Sequence, residues 1–157
     1  MADTAYNFNG DTAVQTTTRD VRTVIGYFAA ACAVGATVEF DNVEPPGGGT
    51  NPGAMAFKAA TGRKVVGVKV GSAAVAGSWG EIQVKGPCEG VLATAATTAI
   101  VVSDFVNGSA GSATRVEIAD AAAVAPRTIT PVLGRALSAL PSGTGTITVD
   151  LFNPANL

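Results

Sequence analysis

The chain predicts an all-β protein, a small antiparallel β-barrel or sandwich behind an extended N-terminal arm, and three observations carry that prediction. Apolar and polar residues alternate in short runs, the period-two signature of half-buried strands. Turn-forming residues punctuate those runs, with 19 glycines and 8 prolines in 157 residues. Finally, one strand-loop-strand unit is spelled twice. The copies are Val65 to Gly86 (VVGVKVGSAAVAGSWGEIQVKG) and, more loosely, Val132 to Phe152 (VLGRALSALPSGTGTITVDLF). Each opens on a short apolar run holding a glycine, Gly67 or Gly134, and continues through a linker of small residues. Each closes on an alternating strand. Ile82 and Val84 oppose Glu81, Gln83 and Lys85 in the first copy; Ile147, Val149 and Leu151 oppose Thr146, Thr148 and Asp150 in the second. Neither copy carries a catalytic group. The repeat is expected to be scaffold, its glycines serving as bends that let the two units build one compact barrel.

Taken in order, residues 1 to 20 are polar and lack a period, with Tyr6 and Phe8 as isolated aromatics. They read either as an arm that docks on a partner or as an edge strand of the same domain. Residues 21 to 157 form a single β-domain. Asp20 to Phe28 is β-rich, with Val21, Thr23, Ile25 and Tyr27 on one face, and a second strand over Thr37 to Asn42 follows the small-residue link Ala29 to Ala36. Glu44 to Gly53 (EPPGGGTNPG), with Pro45, Pro46 and Pro52, is the clearest loop. Beyond the first repeat, Cys88 to Thr94 and Thr97 to Phe105 read as strands, Asn107-Gly108 as a turn, and Thr114 to Ile118 as a strand. Asp120 to Val124 suggests one helical turn capped by Asp120 and ended by Pro126, and the tail Asn153 to Leu157 reads as frayed. The total is about eight to ten short strands, the spacing of a small barrel or sandwich. A core built from Ala, Thr and Gly buries less apolar area per residue than one rich in Leu and Phe, which favours association into a symmetric homo-oligomer.

Composition narrows the function classes. The chain has no histidine and only 14% charged residues, which lowers the expectation of an enzyme by removing the commonest proton-transfer group and metal ligand. A net charge of −2 with scattered basic residues argues against nucleic acid. The tightest basic group, Arg63-Lys64 with Lys58 and Lys69 nearby, reads as a solvated strand end. Gly-Lys is absent, so the Gly-rich loop is no phosphate cradle. The acids lack calcium-loop spacing, and the serines sit in Gly/Ala/Pro turns without a base beside them. No cofactor and no metal site is expected. The first eleven residues lack a basic stretch followed by an apolar core, and Val24 to Phe40 is too short and interrupted to span a bilayer, so a soluble protein is expected. Cys32 and Cys88 are expected as free thiols, with a disulfide left open by spacing alone. Trp79, the single tryptophan, reads as the cover of an open barrel end, a protein-interface anchor or a sugar platform.

The repeated block, GVKVGSAAVAGSWGEIQVKGPCEGVL, together with the closing LGRALSALPSGTGTITVDLF, resembles the small Ala/Gly/Thr-rich bacteriophage head-decoration, or capsid cement, proteins. The resemblance covers Val65 to Phe152 and consists of a pattern of glycines and strand alternation; the first sixty residues match no motif. Some members have been labelled recombinases, and the missing nucleotide-binding loop argues against that activity here. The resemblance implies a structural virion protein on the outer surface of the capsid, made in the host cytoplasm. It would be a homotrimer whose partners are the major capsid protein and itself, with neither nucleic acid nor membrane. Tyr6, Phe8, Pro45, Pro46, Pro52 and Trp79 are the expected contact residues. The alternative is a carbohydrate-binding or adhesion module of a tail fibre or spike; a small carboxylate hydrolase is a third.

Overall fold

The computed structural model describes residues 20–43, 45, 55–96, 98–119 and 132–152. Among them are nine strands and no helix. They are β1 (Arg22–Phe28), β2 (Thr37–Phe40), β3 (Ala56–Ala59), β4 (Gly67–Lys69), β5 (Ser78–Ala95), β6 (Phe105–Gly108), β7 (Val116–Ile118), β8 (Gly134–Ala136) and β9 (Gly143–Phe152). The all-β prediction holds. The expected arm except Asp20, the loop except Pro45, the helical turn at 120–124 and the tail lie outside the described residues.

The pairings close two rings rather than one. β1 pairs with β3 in parallel and with β5 antiparallel, β2 joins β3 to β4, and β4 returns to β5. The second half of β5 pairs with β7 in parallel and with β9 antiparallel, β6 joins β7 to β8, and β8 returns to β9. Two five-stranded barrels of identical topology therefore share β5. The expectation that both repeats build one barrel is corrected. At roughly 3.3 Å per residue, an 18-residue strand is far longer than one small barrel can enclose, so its two halves wall two separate cores. Phe28, Val38, Phe57, Ile82 and Val84 fill the first; Val91, Ile100, Val106, Leu133, Ile147 and Val149 fill the second. Cys32 lies in the first core and Cys88 in the second, both as free thiols.

The duplication extends well beyond the unit visible in the sequence. Val66 N–H donates to Val38 O at 2.8 Å, and Leu133 N–H donates to Val106 O at 2.9 Å. Val70 donates to Glu81 O, and Leu137 to Thr148 O. Cys32 and Ala74 exchange both backbone bonds, as do Ile100 and Leu140. Gly35 donates to Lys69 O, and Ser103 to Ala136 O. Gly67 and Gly134 occupy matching places, and they are not the expected bends. Both are buried within strands, and a Cβ would lie 2.7 Å from Gln83 O in the first and 2.3 Å from Asp150 O in the second. They let β4 and β8 press onto the backbones of β5 and β9.

Two further expectations change, and one gains a direction. The face Val21, Thr23, Ile25 and Tyr27 of β1 turns outward, because Gly26 leaves room for the Phe57 ring and Phe28 is the buried anchor. Asn107-Gly108 is not a turn but the buried end of β6, where the missing side chain admits the crossing backbone of Gly62 and the side chain of Val65. The segment expected as a strand over 97–105 instead holds the turn, with Asp104 Oδ2 accepting from Val101 N–H at 2.8 Å.

Candidate functional site

β1, β5 and β9 form one continuous outer wall along both barrels, joined where Lys85 stands opposite both Arg22 and Phe152. Strand alternation decides what this wall presents. On the first barrel, with Ile82 and Val84 turned inward, Trp79 and Glu81 point out, and β1 sets Tyr27 and Ile25 opposite them. Trp79 is 45% exposed and Ile25 58%. The Tyr27 ring meets the Trp79 ring edge-on with centroids 5.7 Å apart, which fixes both side chains before any partner arrives. On the second barrel, Ile147, Val149 and Leu151 point in, so Phe152 points out and meets Phe105 edge-on at 6.2 Å. Both phenylalanines are about half exposed. Charged groups lie between the two aromatic pairs, among them Lys85 and Asp20 at 3.1 Å, while Arg135 stands opposite both Phe105 and Asp150.

Of the residues expected to make contacts, Trp79 stands on this wall. Pro45 is buried beside a shallow recess lined by Phe40, Val43 and Met55. Tyr6, Phe8, Pro46 and Pro52 lie outside the described residues. Phe105 and Phe152 escaped the sequence reading, although the alternation that buries Leu151 already sets Phe152 on the outer face.

Lys69 is the sharpest departure. It is 1% exposed rather than part of a solvated strand end. Its ammonium donates to Val70 O at 2.5 Å and Ser72 O at 2.6 Å and sits 5.9 Å from the centroid of the Phe28 ring. Burial pushes its pKa down, with Cys32 and Glu81 pulling the other way. Gly80 makes the space, since a Cβ there would stand 2.8 Å from Lys69 Cε. In the second barrel the small Ala136, opposite Val149, takes the place of Lys69. Two of its three donors are already committed to carbonyls, so Lys69 is a core-filling group rather than a nucleophile.

Gln83, expected on the solvent face, is also buried. Its Nε2 donates to the carbonyls of Lys85 and Gly86, both at 3.2 Å, and of Pro87 at 2.7 Å. It thereby pins β5 where the strand passes from one barrel to the next. The described residues hold no cluster of three His, Cys, Asp or Glu suited to a metal, and no helix long and apolar enough to cross a membrane.

No family model and no curated protein sequence matches the chain. Among solved structures, it is similar to the N base of the head fiber gp8.5 of bacteriophage phi29, with a TM-score of 0.46 and 9% identity over 85% of this chain and 98% of that one. At that identity and TM-score, the likeness says nothing about function.

Proposed function

We propose that this protein is a non-enzymatic structural component of a bacteriophage virion that binds the outer surface of the capsid and bridges major capsid subunits. The observation that carries the reading is the outer wall. Two edge-on aromatic pairs, Tyr27–Trp79 and Phe105–Phe152, stand half-exposed on a strand-paired scaffold, with charged groups between them. Rigid, half-exposed aromatics beside arginine are the composition of interface anchors. The glycine and alternation pattern shared with head-decoration proteins points the same way. A homotrimer would present each wall three times, so that weak contacts combine through high effective concentration once one copy has engaged.

The test is addition of the purified protein to expanded heads that lack it. Saturable, stoichiometric binding that raises the temperature at which the heads break supports the reading, with light scattering giving the oligomeric state. Failure to bind, for heads that do bind their own decoration protein, overturns it.

A further inference from the structure

A second feature lies at the seam between the two barrels. The β3–β4 connection of the first barrel crosses the second half of β5, β7 and the β6–β7 turn, leaving a recess of about 280 Å³. Arg63, Thr94, Thr98, Ser109, Ser112 and Glu117 line it, from four different segments. The Glu117 carboxylate organises one side. It accepts from Ser109 Oγ at 2.7 Å and from Ala110 N–H at 3.1 Å, and Arg63 stands 3.5 Å away as its counter-ion. Ser109 Oγ in turn accepts from the N–H groups of Gly111 and Ser112, which holds the turn in shape.

Around this ordered frame, polar capacity goes unused. Five described side-chain atoms are buried without a hydrogen-bond partner, and two of them belong to residues that line the recess. They are Thr94 Oγ1 and Arg63 Nε; a third such atom, Oδ1 of Asn107, belongs to the residue opposite Glu117 in the β6–β7 ladder. Thr94 is only 4% exposed. Leaving a buried polar atom unpaired is costly, and two at one cavity mark a place that a polar occupant would satisfy. Nor is the arrangement imposed by the fold, because the duplicated barrel does without it. The places of Glu117 and Asn107 are taken there by Lys58 and Glu39, which pair directly at 3.6 Å.

We propose that this seam recess binds one neutral sugar ring, free or at the end of a chain. Charge decides against an anion: the guanidinium is already balanced by Glu117, whose carboxylate would repel a phosphate or acid. A cation meets the opposing Arg63. A neutral polyol suits both members of the pair, since one hydroxyl can donate to the carboxylate while its neighbour accepts from Arg63 Nε–H, and Thr94 Oγ1 serves either way. A recess of this size has room for one sugar ring. Its place between two packed lobes is also where small-ligand sites concentrate. The proposal stands independently of capsid binding.

The experiment is a titration of the full chain, followed by amide NMR, with methyl α-glucoside, methyl β-galactoside and N-acetylglucosamine. Each is tried free and as the terminal ring of a tetrasaccharide, with inorganic phosphate in parallel. Saturable shifts at Thr94, Ser109 and Glu117 from at least one sugar are expected, and comparing the two forms tells a free ring from a chain end. Thr94→Val removes an unpartnered hydroxyl at constant shape, so affinity should fall about fivefold to tenfold while the melting temperature holds or rises. Ser112→Ala should also weaken binding and serves if the valine variant misfolds. No shift from any of these sugars at 50 mM (about ten times a weak millimolar Kd), shifts from phosphate alone, or unchanged affinity in both variants would each overturn the proposal.

Discussion

Ser103 takes the place in the second barrel that Gly35 takes in the first, down to the hydrogen bond each backbone N–H makes. Both have φ of +79°. That is the left-handed region, which costs an L-residue roughly 1–2 kcal/mol and glycine almost nothing. Ser103→Gly should therefore relieve that strain. Part of the gain, about 0.5–1 kcal/mol, is returned because glycine frees the unfolded chain. The net expectation is a stabilisation of about 0.5–1 kcal/mol, or an upward shift of roughly 1–4 °C in Tm for a chain of this length. The mirror experiment is not symmetrical. A Cβ at Gly35 would stand 2.1 Å from Gly90 O, a backbone atom that cannot turn aside, whereas Ser103 is exposed. Gly35→Ala should accordingly cost about 3 kcal/mol or more, strain and overlap together. Circular dichroism melts and urea titrations of the two variants beside the parent measure both effects. A Ser103→Gly variant no more stable than the parent, or a Gly35→Ala variant that melts with it, refutes the strain argument and the residue-level equivalence of the barrels.

Other expectations follow from the same geometry. Burial raises the Cys88 thiol from 9.0 to about 11, so the folded chain keeps a proton that the unfolded chain releases first. That stabilisation is complete below pH 9 and disappears by about pH 11, a loss of about 2–3 kcal/mol. Urea midpoints from pH 8 to 11 should fall less steeply in Cys88→Ala than in the parent. Gln83→Ala strands the carbonyls of Lys85, Gly86 and Pro87 and should lower stability by about 2 kcal/mol, read from the urea midpoint. Gly134→Ala drives a Cβ onto Asp150 O and should cost more than about 2 kcal/mol, while Gly62→Ala, with open space around it, should leave the melt unchanged. Trp79→Ala combined with Phe152→Ala should alter Tm by only a few degrees yet weaken binding to heads at least tenfold, and unchanged binding would remove the wall from the proposed function.

The sequence alone determined the all-β class, the two repeated units, and the inward faces of their closing strands at Ile82 and Val84 and at Ile147, Val149 and Leu151, because these depend on period two and on turn chemistry within a few residues of each other. It made Trp79 visible, and the alternation through Leu151 held the position of Phe152 as well. What only the tertiary structure decided depends on partners far along the chain. Gly86-Pro87 reads locally as the end of a strand. β5 nevertheless runs straight through it, because β1 finishes at Lys85 and β7 first pairs at Ala93, which leaves one edge of β5 without a ladder to break. From that continuity come two barrels in place of one. Lys69 looks solvated until Gly80, eleven residues on, is seen to make a space its stem fills. Asn107-Gly108 reads as a turn until the backbone of Gly62 crosses it. The seam recess draws Arg63, Thr94, Ser109 and Glu117 from separate segments, and no local period or spacing could have assembled it.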